Sequence, residues 1–306
     1  MTKIKVVGIG GSGSNAINRM MKCGVMGVEF IAINTDLQNL KKNNADKKIR
    51  IGKNITKGLG AGMNPNIGEN AAKESREEIE EVLVGADIVF IACGLGGGTG
   101  TGGAPVVAKI SKDLGILTIA IVTTPFSFEG KSRMSIAKKG EKALKKEVDT
   151  LISVSNNRLS LLIKDNTSID SAFWLCDEVL RQAVCGISDL ITLPGIINID
   201  FADIKSILKD SGLAVFGIGI ASGEDRAKEA VSSALSSPLL DISLNRTKGV
   251  LFNVSGGDDI SLIEIDDIAK EIKAKVSPDA KILFGAVQSE DLKKNEIKVT
   301  VLITGL

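Results

Sequence analysis

The chain has 306 residues with no histidine, no tyrosine and one tryptophan, and aromatics make up only 3% of it. Without histidine there is no Ser-His or Cys-His nucleophilic pair and no imidazole general base. A zinc site is a poor expectation for the same reason. Acid–base work must fall to carboxylates, lysines or water held by a metal. Cys23, Cys93, Cys176 and Cys185 form no C-x-x-C pair and no metal-ligand spacing, so buried, reduced thiols are expected and no residue is assigned to a metal. No apolar run approaches the length of about eighteen residues that a transmembrane helix needs. The run Ile4–Ile9 stops at glycines and reads as a first strand, not a signal peptide. A formal net charge of +1 gives no bulk attraction to nucleic acid or anionic membrane. The phosphate loop G-x-x-x-x-G-K-[ST] is also missing. What remains is an ordinary globular composition, 43% apolar and 25% charged, long enough for one large or two ordinary domains.

Glycine is abundant and concentrated. Seven glycines fall between Gly94 and Gly103, in Gly-Leu-Gly-Gly-Gly-Thr-Gly-Thr-Gly-Gly. The apolar run Ile88–Ala92 leads into them and a helical pattern from Thr101 follows. A strand, a glycine loop and a helix N-terminus turn backbone N–H groups onto an anion. No lysine or arginine lies in the loop, so neutral dipoles would hold the phosphates, with Thr99 and Thr101 adding hydroxyls.

Strands are expected at Ile4–Ile9, Phe30–Asn34, Ile88–Cys93, Leu117–Val122 and Thr150–Val154, alternating with helices at Ser14–Lys22, Ile67–Val84, Thr101–Asp113 and Ser132–Lys146. Such alternation indicates a parallel sheet wrapped by helices, with ligands at the carboxyl ends of its strands. A long helix is expected over Ser168–Leu190, where Ile169, Ala172, Phe173, Cys176, Val179, Leu180 and Val184 recur at three- and four-residue steps. After Pro194-Gly195 a second, smaller α/β unit follows. Its strands are expected at Leu213–Ile220, Val250–Ser255, Ile282–Val287 and Ile297–Ile303, and its helices at Ile204–Lys209, Asp225–Ser236 and Leu262–Lys275.

A second glycine loop, Gly8-Ile9-Gly10-Gly11-Ser12-Gly13, satisfies G-x-G-x-x-G, and Asp36 ends the second strand where a dinucleotide-binding fold keeps its ribose acid. Alone, this motif points to an NAD-dependent dehydrogenase. Two observations oppose that reading. Dehydrogenases do not need the stronger glycine loop on a later strand, and no histidine or tyrosine is available to exchange a substrate proton.

The string Gly96-Gly97-Gly98-Thr99-Gly100-Thr101-Gly102 resembles the signature loop of the tubulin/FtsZ GTPases. Five further strings are similar to the FtsZ side of that family: Phe30–Asp36, Gly58–Gly62 with Asn64-Pro65, Pro125–Gly130, Asn198–Asp203 and Ser236–Leu240. Together they run collinearly over essentially the whole chain. Tubulin proper fits less well, because its extra C-terminal helices are not in the sequence. The resemblance implies a Rossmann-like parallel-sheet GTP-binding domain over 1–166, a central helix over 167–192 and a C-terminal GTPase-activating domain over 193–306. It implies a cytoplasmic cell-division GTPase, acting at the division site, that polymerises head to tail with copies of itself. It also implies binding of GTP or GDP with Mg²⁺ held mainly by phosphates and water, and a monovalent cation as a further candidate. Neither nucleic-acid binding nor direct membrane insertion is expected. The family's membrane-anchoring and regulatory partners bind through a tail beyond the globular core, and the sequence stops at Thr304-Gly305-Leu306, where that core ends.

Site residues follow from the same resemblance. Gly10, Gly11 and Asn15 would line the diphosphate together with Gly13, while Ser12 and Ser14 replace the family's usual Gly and Asn and add hydroxyls. Ala61 and Gly62 would approach the terminal phosphate, and Gly97, Gly98, Thr99 and Gly100 would cradle the phosphates. Glu129 would contact the ribose with Arg133 nearby, Asn156 and Asp177 would read guanine, and Phe173 would pack on its ring. Phe173 and Asp177 are i and i+4 on one helix and share a face, although Phe173 also suits an ordinary core position. Thr124 stands where the family usually has a basic residue, and Trp174 is unusual beside the guanine face.

Asn198, Asp200 and Asp203 resemble the family's catalytic loop, where carboxylates orient a water for attack on the terminal phosphate. Asp200 equally suits a helix N-cap. A helix of about 23 residues is roughly 34 Å long, and about 20 Å of it lies beyond Asp177. The acids are therefore expected to reach the nucleotide of the next subunit rather than their own, through a heterologous contact that propagates into a filament. A GTP-binding scaffold with little hydrolysis is the alternative.

Overall fold

The computed structural model describes residues 2–25, 27–159, 167–192, 195–197, 199–237, 244, 247–289 and 292–306. The chain divides into two compact units, Met1–Cys185 and Gly186–Leu306.

The first unit contains β1 (Ile4–Ile9), α1 (Gly10–Lys22), β2 (Val28–Asn34), α2 (Leu37–Lys41), β3 (Lys47–Arg50), α3 (Pro65–Glu74), α4 (Arg76–Leu83), β4 (Ile88–Gly94), α5 (Thr99–Asp113) and β5 (Leu117–Thr124). A 3₁₀ turn at Ser127–Glu129, α6 (Lys131–Glu147), β6 (Thr150–Ser155), α7 (Asn156–Leu159) and the start of α8 (Ile169–Thr192) complete it. Its strands lie in the order β3-β2-β1-β4-β5-β6. All of these pairings are parallel. Strands β1, β4 and β5 are buried almost throughout. Both faces are covered by helices, so these strands read as continuous apolar runs instead of alternating ones. Val6, Val7 and Ile9 are 0%, 0% and 1% exposed, and burying each such side chain contributes about 1.5–3 kcal/mol.

The order 3-2-1-4-5-6 reverses direction between β1 and β4, and the crevice at such a switch point is where open α/β sheets bind ligands. Both glycine loops of the sequence follow these two adjacent strands. Their glycines allow backbone to touch backbone. A Cβ on Gly13 would fall 2.4 Å from the Ala92 carbonyl oxygen, and one on Gly8 would fall 2.3 Å from the Gly13 oxygen. Helix α1 therefore rests directly on β1 and β4. Helices α3 and α5 meet in the same way, since a Cβ on Gly68 or Gly102 would strike the carbonyl of Gly98 or Pro65.

Strand β3 and the short helices α2 and α7 are additional to the expected elements, and two expected helices differ in extent. The helix expected over Ile67–Val84 is two helices, broken at Ser75, whose φ of −103° and ψ of 25° leave the α region. Helix α1 begins at Gly10, four residues before the expected Ser14, so the first glycine loop is largely the helix's own first turn.

The second unit contains the end of α8, then α9 (Phe201–Leu208), β7 (Gly212–Ser222), α10 (Arg226–Leu235), β8 (Gly249–Gly256), α11 (Leu262–Lys275), β9 (Lys281–Gln288) and β10 (Glu296–Thr304). Its strands lie in the order β7-β10-β8-β9. β10 runs antiparallel to both neighbours, and β8 and β9 are parallel. Apolar side chains from β7, β8, β10, α10 and α11 form its core. Arg226, 6% exposed, joins α10 to the α11 end through Glu264 at 2.6 Å and Asp259 at 2.7 Å.

Candidate functional site

Helices α1 and α5 both begin without a side-chain cap and without an acidic residue in the first turn. A helix start normally leaves four N–H groups to be satisfied and carries about half a positive charge. Here two such ends converge on the crevice between β1 and β4, a ready anion site with no lysine in it. A cavity of about 250 Å³ opens there, lined by Ile9–Ser12, Gly94, Leu95, Gly97–Gly100, Thr123, Pro125, Glu129, Arg133, Asn156, Phe173, Cys176 and Asp177. Every lining residue belongs to the first unit. A larger hollow of about 910 Å³ lies along α3, α5 and α6, but neither the start of a glycine loop nor the uncapped start of α1 lines it.

The glycines of the two loops divide by role. A Cβ on Gly11 or Gly97 would meet nothing within 4 Å, so at these positions the space above the backbone is left for a ligand. A Cβ on Gly98 would instead lie 2.7 Å from the Ala61 Cβ, and one on Gly100 would lie 3.0 Å from the Gly94 oxygen. Those glycines seat the loop. Gly10 has φ +74°, a left-handed conformation that disfavours a side chain. Thr99 lines the cavity and its Oγ1 is 2.8 Å from that of Thr35. Thr101 does not line it; its Oγ1 accepts from the Gly96 N–H at 2.9 Å and pins the loop.

Beyond the phosphate-like end, Glu129 accepts from the Phe126 N–H at 2.8 Å and from Arg133 Nη1 at 2.6 Å. Among the described residues, Arg133 Nε is buried without a hydrogen-bond partner. Asn156 is 5% exposed, and its buried Oδ1 likewise has no partner among them. A buried, unpaired acceptor is costly unless a ligand satisfies it. Phe173 is 41% exposed and meets Phe126 edge-on, with ring centroids 5.7 Å apart. Burial pushes the Asp177 carboxyl up to about 6, opposed by the charge of Arg19, and burial raises the Cys176 thiol to about 12.

The sequence-predicted residues are therefore gathered in large part. Gly10, Gly11, Ser12, Gly97, Gly98, Thr99, Gly100, Glu129, Arg133, Asn156, Phe173 and Asp177 line one cavity. Ala61 is buried beneath Gly98. Gly62 is exposed with φ +56°. Gly13 is a packing contact, Ser14 is buried with an unpartnered Oγ, and Asn15 is exposed on α1. Thr123, not Thr124, lines the cavity. Sequence reasoning missed Ile9, Gly94, Leu95, Thr123, Pro125 and Cys176. The rule that ligands sit at strand carboxyl ends would have found the first five, and the i+3 step from Phe173 the sixth. Asp36, the acid that suggested a dinucleotide, caps α2 by accepting from the N–H groups of Gln38 and Asn39 at 2.9 and 3.0 Å.

In the second unit, Asp200 is the N-cap of α9, its carboxylate accepting from the Ala202 N–H at 3.3 Å. Asp203 is exposed, with Lys281 Nζ 3.9 Å away. Asn198 lies outside the described residues.

Residues 3–164 match the GTPase domain of the Tubulin/FtsZ family. The chain belongs to that family. Residues 212–306 match the FtsZ family C-terminal domain. An FtsZ from M. jannaschii, solved as an empty dimer, is 50% identical over all of this chain and 88% of that one, with a TM-score of 0.95. Two Haloferax volcanii structures share the fold at lower identity. CetZ1, solved as a GDP-bound monomer, is 20% identical over 100% of this chain and 94% of its own, with a TM-score of 0.86. CetZ2, solved as a GTPγS-bound protofilament, is 19% identical over 99% and 92%, with a TM-score of 0.83. The Tubulin/FtsZ assignment makes the first unit a GTPase domain that binds GTP and GDP, and it removes the dehydrogenase reading.

Proposed function

We propose that this chain is a polymer-forming GTPase of the bacterial-type division ring, and that its GTP is hydrolysed in joints between successive subunits. The observation that carries the nucleotide site is the pair of uncapped helix starts, α1 and α5, facing one crevice at the switch point of the sheet. Phosphates rest on the N–H groups of Gly10–Ser12 and Gly97–Gly100, with Gly13, Ser14 and Asn15 in the first turns of α1 and Ala61 and Gly62 in the loop before α3 shaping the surroundings. The ribose meets Glu129, which Arg133 orients. Guanine stacks at Phe173 and presents its donors to Asp177, while Asn156 Oδ1 gains the partner it lacks. Among the described residues no group of three or more His, Cys, Asp or Glu could hold a metal. Mg²⁺ therefore suits a site built from phosphate oxygens and water, with Thr99 the adjacent hydroxyl. Bound there, the ion neutralises charge developing on the phosphates.

Among the described residues, no carboxylate other than Glu129 and Asp177 lines the cavity. Glu129 is engaged by Arg133, and Asp177 is assigned to the base, so neither is free to orient a water at the terminal phosphate. Asp200 and Asp203, with Asn198, fill that role in our reading. α8 continues from Asp177 to Thr192, about 22 Å at 1.5 Å per residue. That length supports delivery of these acids to the nucleotide of a neighbouring copy. The M. jannaschii FtsZ dimer supports self-association of this kind. A contact between unlike faces repeats into a filament when its rotation does not close. Cytoplasmic action at the division site, a monovalent cation at the phosphates, and anchoring or regulatory partners acting through residues outside this globular core complete the proposal.

Phosphate release measured against protein concentration tests it. A bimolecular active site gives a rate per chain that is near zero at low concentration and rises through a threshold. A rate per chain that is constant across the range contradicts it, and GTP-dependent assembly without phosphate release supports the scaffold alternative.

A further inference from the structure

Arg19 belongs to none of the motifs and lines none of the cavity. It stands in the last turn of α1, with its guanidinium carbon 4.3 Å from the centroid of the Trp174 ring, a cation–π spacing. Its Nε is buried and has no hydrogen-bond partner among the described residues. The guanidinium is thus held by an aromatic face and by charge, beside the first turns of α8. Two carboxyl groups feel that charge, Asp177 and Glu178. Glu178 already has cationic and amide partners, Arg181 at 2.5 and 2.9 Å and Gln182 at 2.9 Å. Among the described residues Asp177 has none of these, and the charge of Arg19 offsets its burial.

We propose that Arg19 is a positioning residue for base recognition: clamped on Trp174, it keeps the Asp177 carboxylate ionised and therefore able to accept two hydrogen bonds from guanine. This rests on the assignment of Asp177 to the base. Guanine's N1–H and exocyclic amino group are both donors, and only an ionised carboxylate offers acceptors to each without a competing proton. Among the described residues, the other charged groups around Asp177 do not replace Arg19. Arg133 from α6 is paired with Glu129 of the 3₁₀ turn at 2.6 Å. On α8 itself Arg181 is paired with Glu178, and Cys176 is a neutral thiol with its pKa near 12. The glycine loops and Asn156 bring no ionisable group.

The sign follows directly. Burial holds the Asp177 carboxyl near 6, so guanine binding weakens as pH falls through that value. Loss of the Arg19 charge raises the midpoint further. The test compares nucleotide-stripped wild type with Arg19→Met, which keeps the stem over Trp174 without the charge, and with Arg19→Lys, which keeps the charge. GDP affinity is measured by calorimetry from pH 5 to 8, with circular dichroism at each pH to confirm folding. Arg19→Met should move the acid limb upward by about one pH unit and bind normally at pH 8, while Arg19→Lys stays near wild type. An equal midpoint in wild type and Arg19→Met, or an equal loss at every pH, overturns the proposal and leaves Arg19 a packing residue. Asp177→Asn separates the two levels. If that variant keeps wild-type GDP affinity, the guanine assignment itself fails; if it is impaired while Arg19→Met matches wild type, only the role given to Arg19 fails.

Discussion

Individual glycines in the two loops carry different duties, and single substitutions should separate them. Gly11→Ala adds a methyl into space that no protein atom occupies within 4 Å. Its melting temperature should stay within about 2 °C of wild type while GDP affinity falls about tenfold or more. Gly13→Ala places a methyl 2.4 Å from the Ala92 oxygen, and a backbone oxygen cannot yield without moving α1 off the sheet. That variant should lose about 1–3 kcal/mol of stability, the range for overpacking a close contact. Thermal melts and GDP titrations on both variants check the pair, and similar behaviour of the two would contradict the division of roles. From the sequence alone Gly11 and Gly13 were indistinguishable. Both read as ligand-binding because glycine spacing reports backbone proximity without saying whether a phosphate or another backbone sits opposite. Residues that act by charge rather than motif, such as Arg19, left no sequence signal at all.

At the scale of elements, the parallel sheet and its long helix were legible because buried strands such as Leu117–Thr124 are unbroken apolar runs, and because α8 repeats its apolar positions over six turns. Strand β3 was not, since only Ile49 of its four residues is buried and the rest are Lys or Arg. The break at Ser75 was hidden by continuous helical periodicity on both sides; a serine with a suitable backbone angle leaves no gap in the apolar pattern. Asp200 had been equally readable as cap or catalyst. Its bond to the Ala202 N–H shows the capping, and an exposed carboxylate retains acceptor capacity for the other role. In the second unit, the α10–α11 link depends on Arg226. Glu264→Ala removes the capping-box partner of Ser261 and leaves the guanidinium with Asp259 alone, which should destabilise by about 3 kcal/mol. The Glu264 pKa is lowered, first by its hydrogen bond from Arg226, so its contribution is full above the unfolded value near 4.5 and is lost as pH falls through the lower folded value. Urea denaturation of wild type and Glu264→Ala at pH 7 and pH 3 should therefore show a gap that narrows in acid. A gap of equal size at both pH values would assign the loss to packing.

At the scale of the whole molecule, the proposed catalysis is a property of two copies. The candidate nucleotide cavity is lined, among the described residues, from the first unit, while Asp200 and Asp203 stand in the second. One subunit then presents nucleotide and the next presents carboxylates, so GTP would favour assembly and its hydrolysis would loosen the joint that formed the site. Mixing two inactive chains addresses this most directly. Asp177→Ala should bind guanine nucleotide poorly but keep its acids, and Asp203→Ala should bind GTP but fail to activate water. Combined in equal amounts, they should release phosphate faster than the sum of their separate rates, with the excess growing as total protein rises. Rescue should be partial, because only one of the possible pairings joins intact acids to intact nucleotide. A mixture whose rate equals that sum at every concentration would show that each chain completes its own active site, and would contradict the shared one.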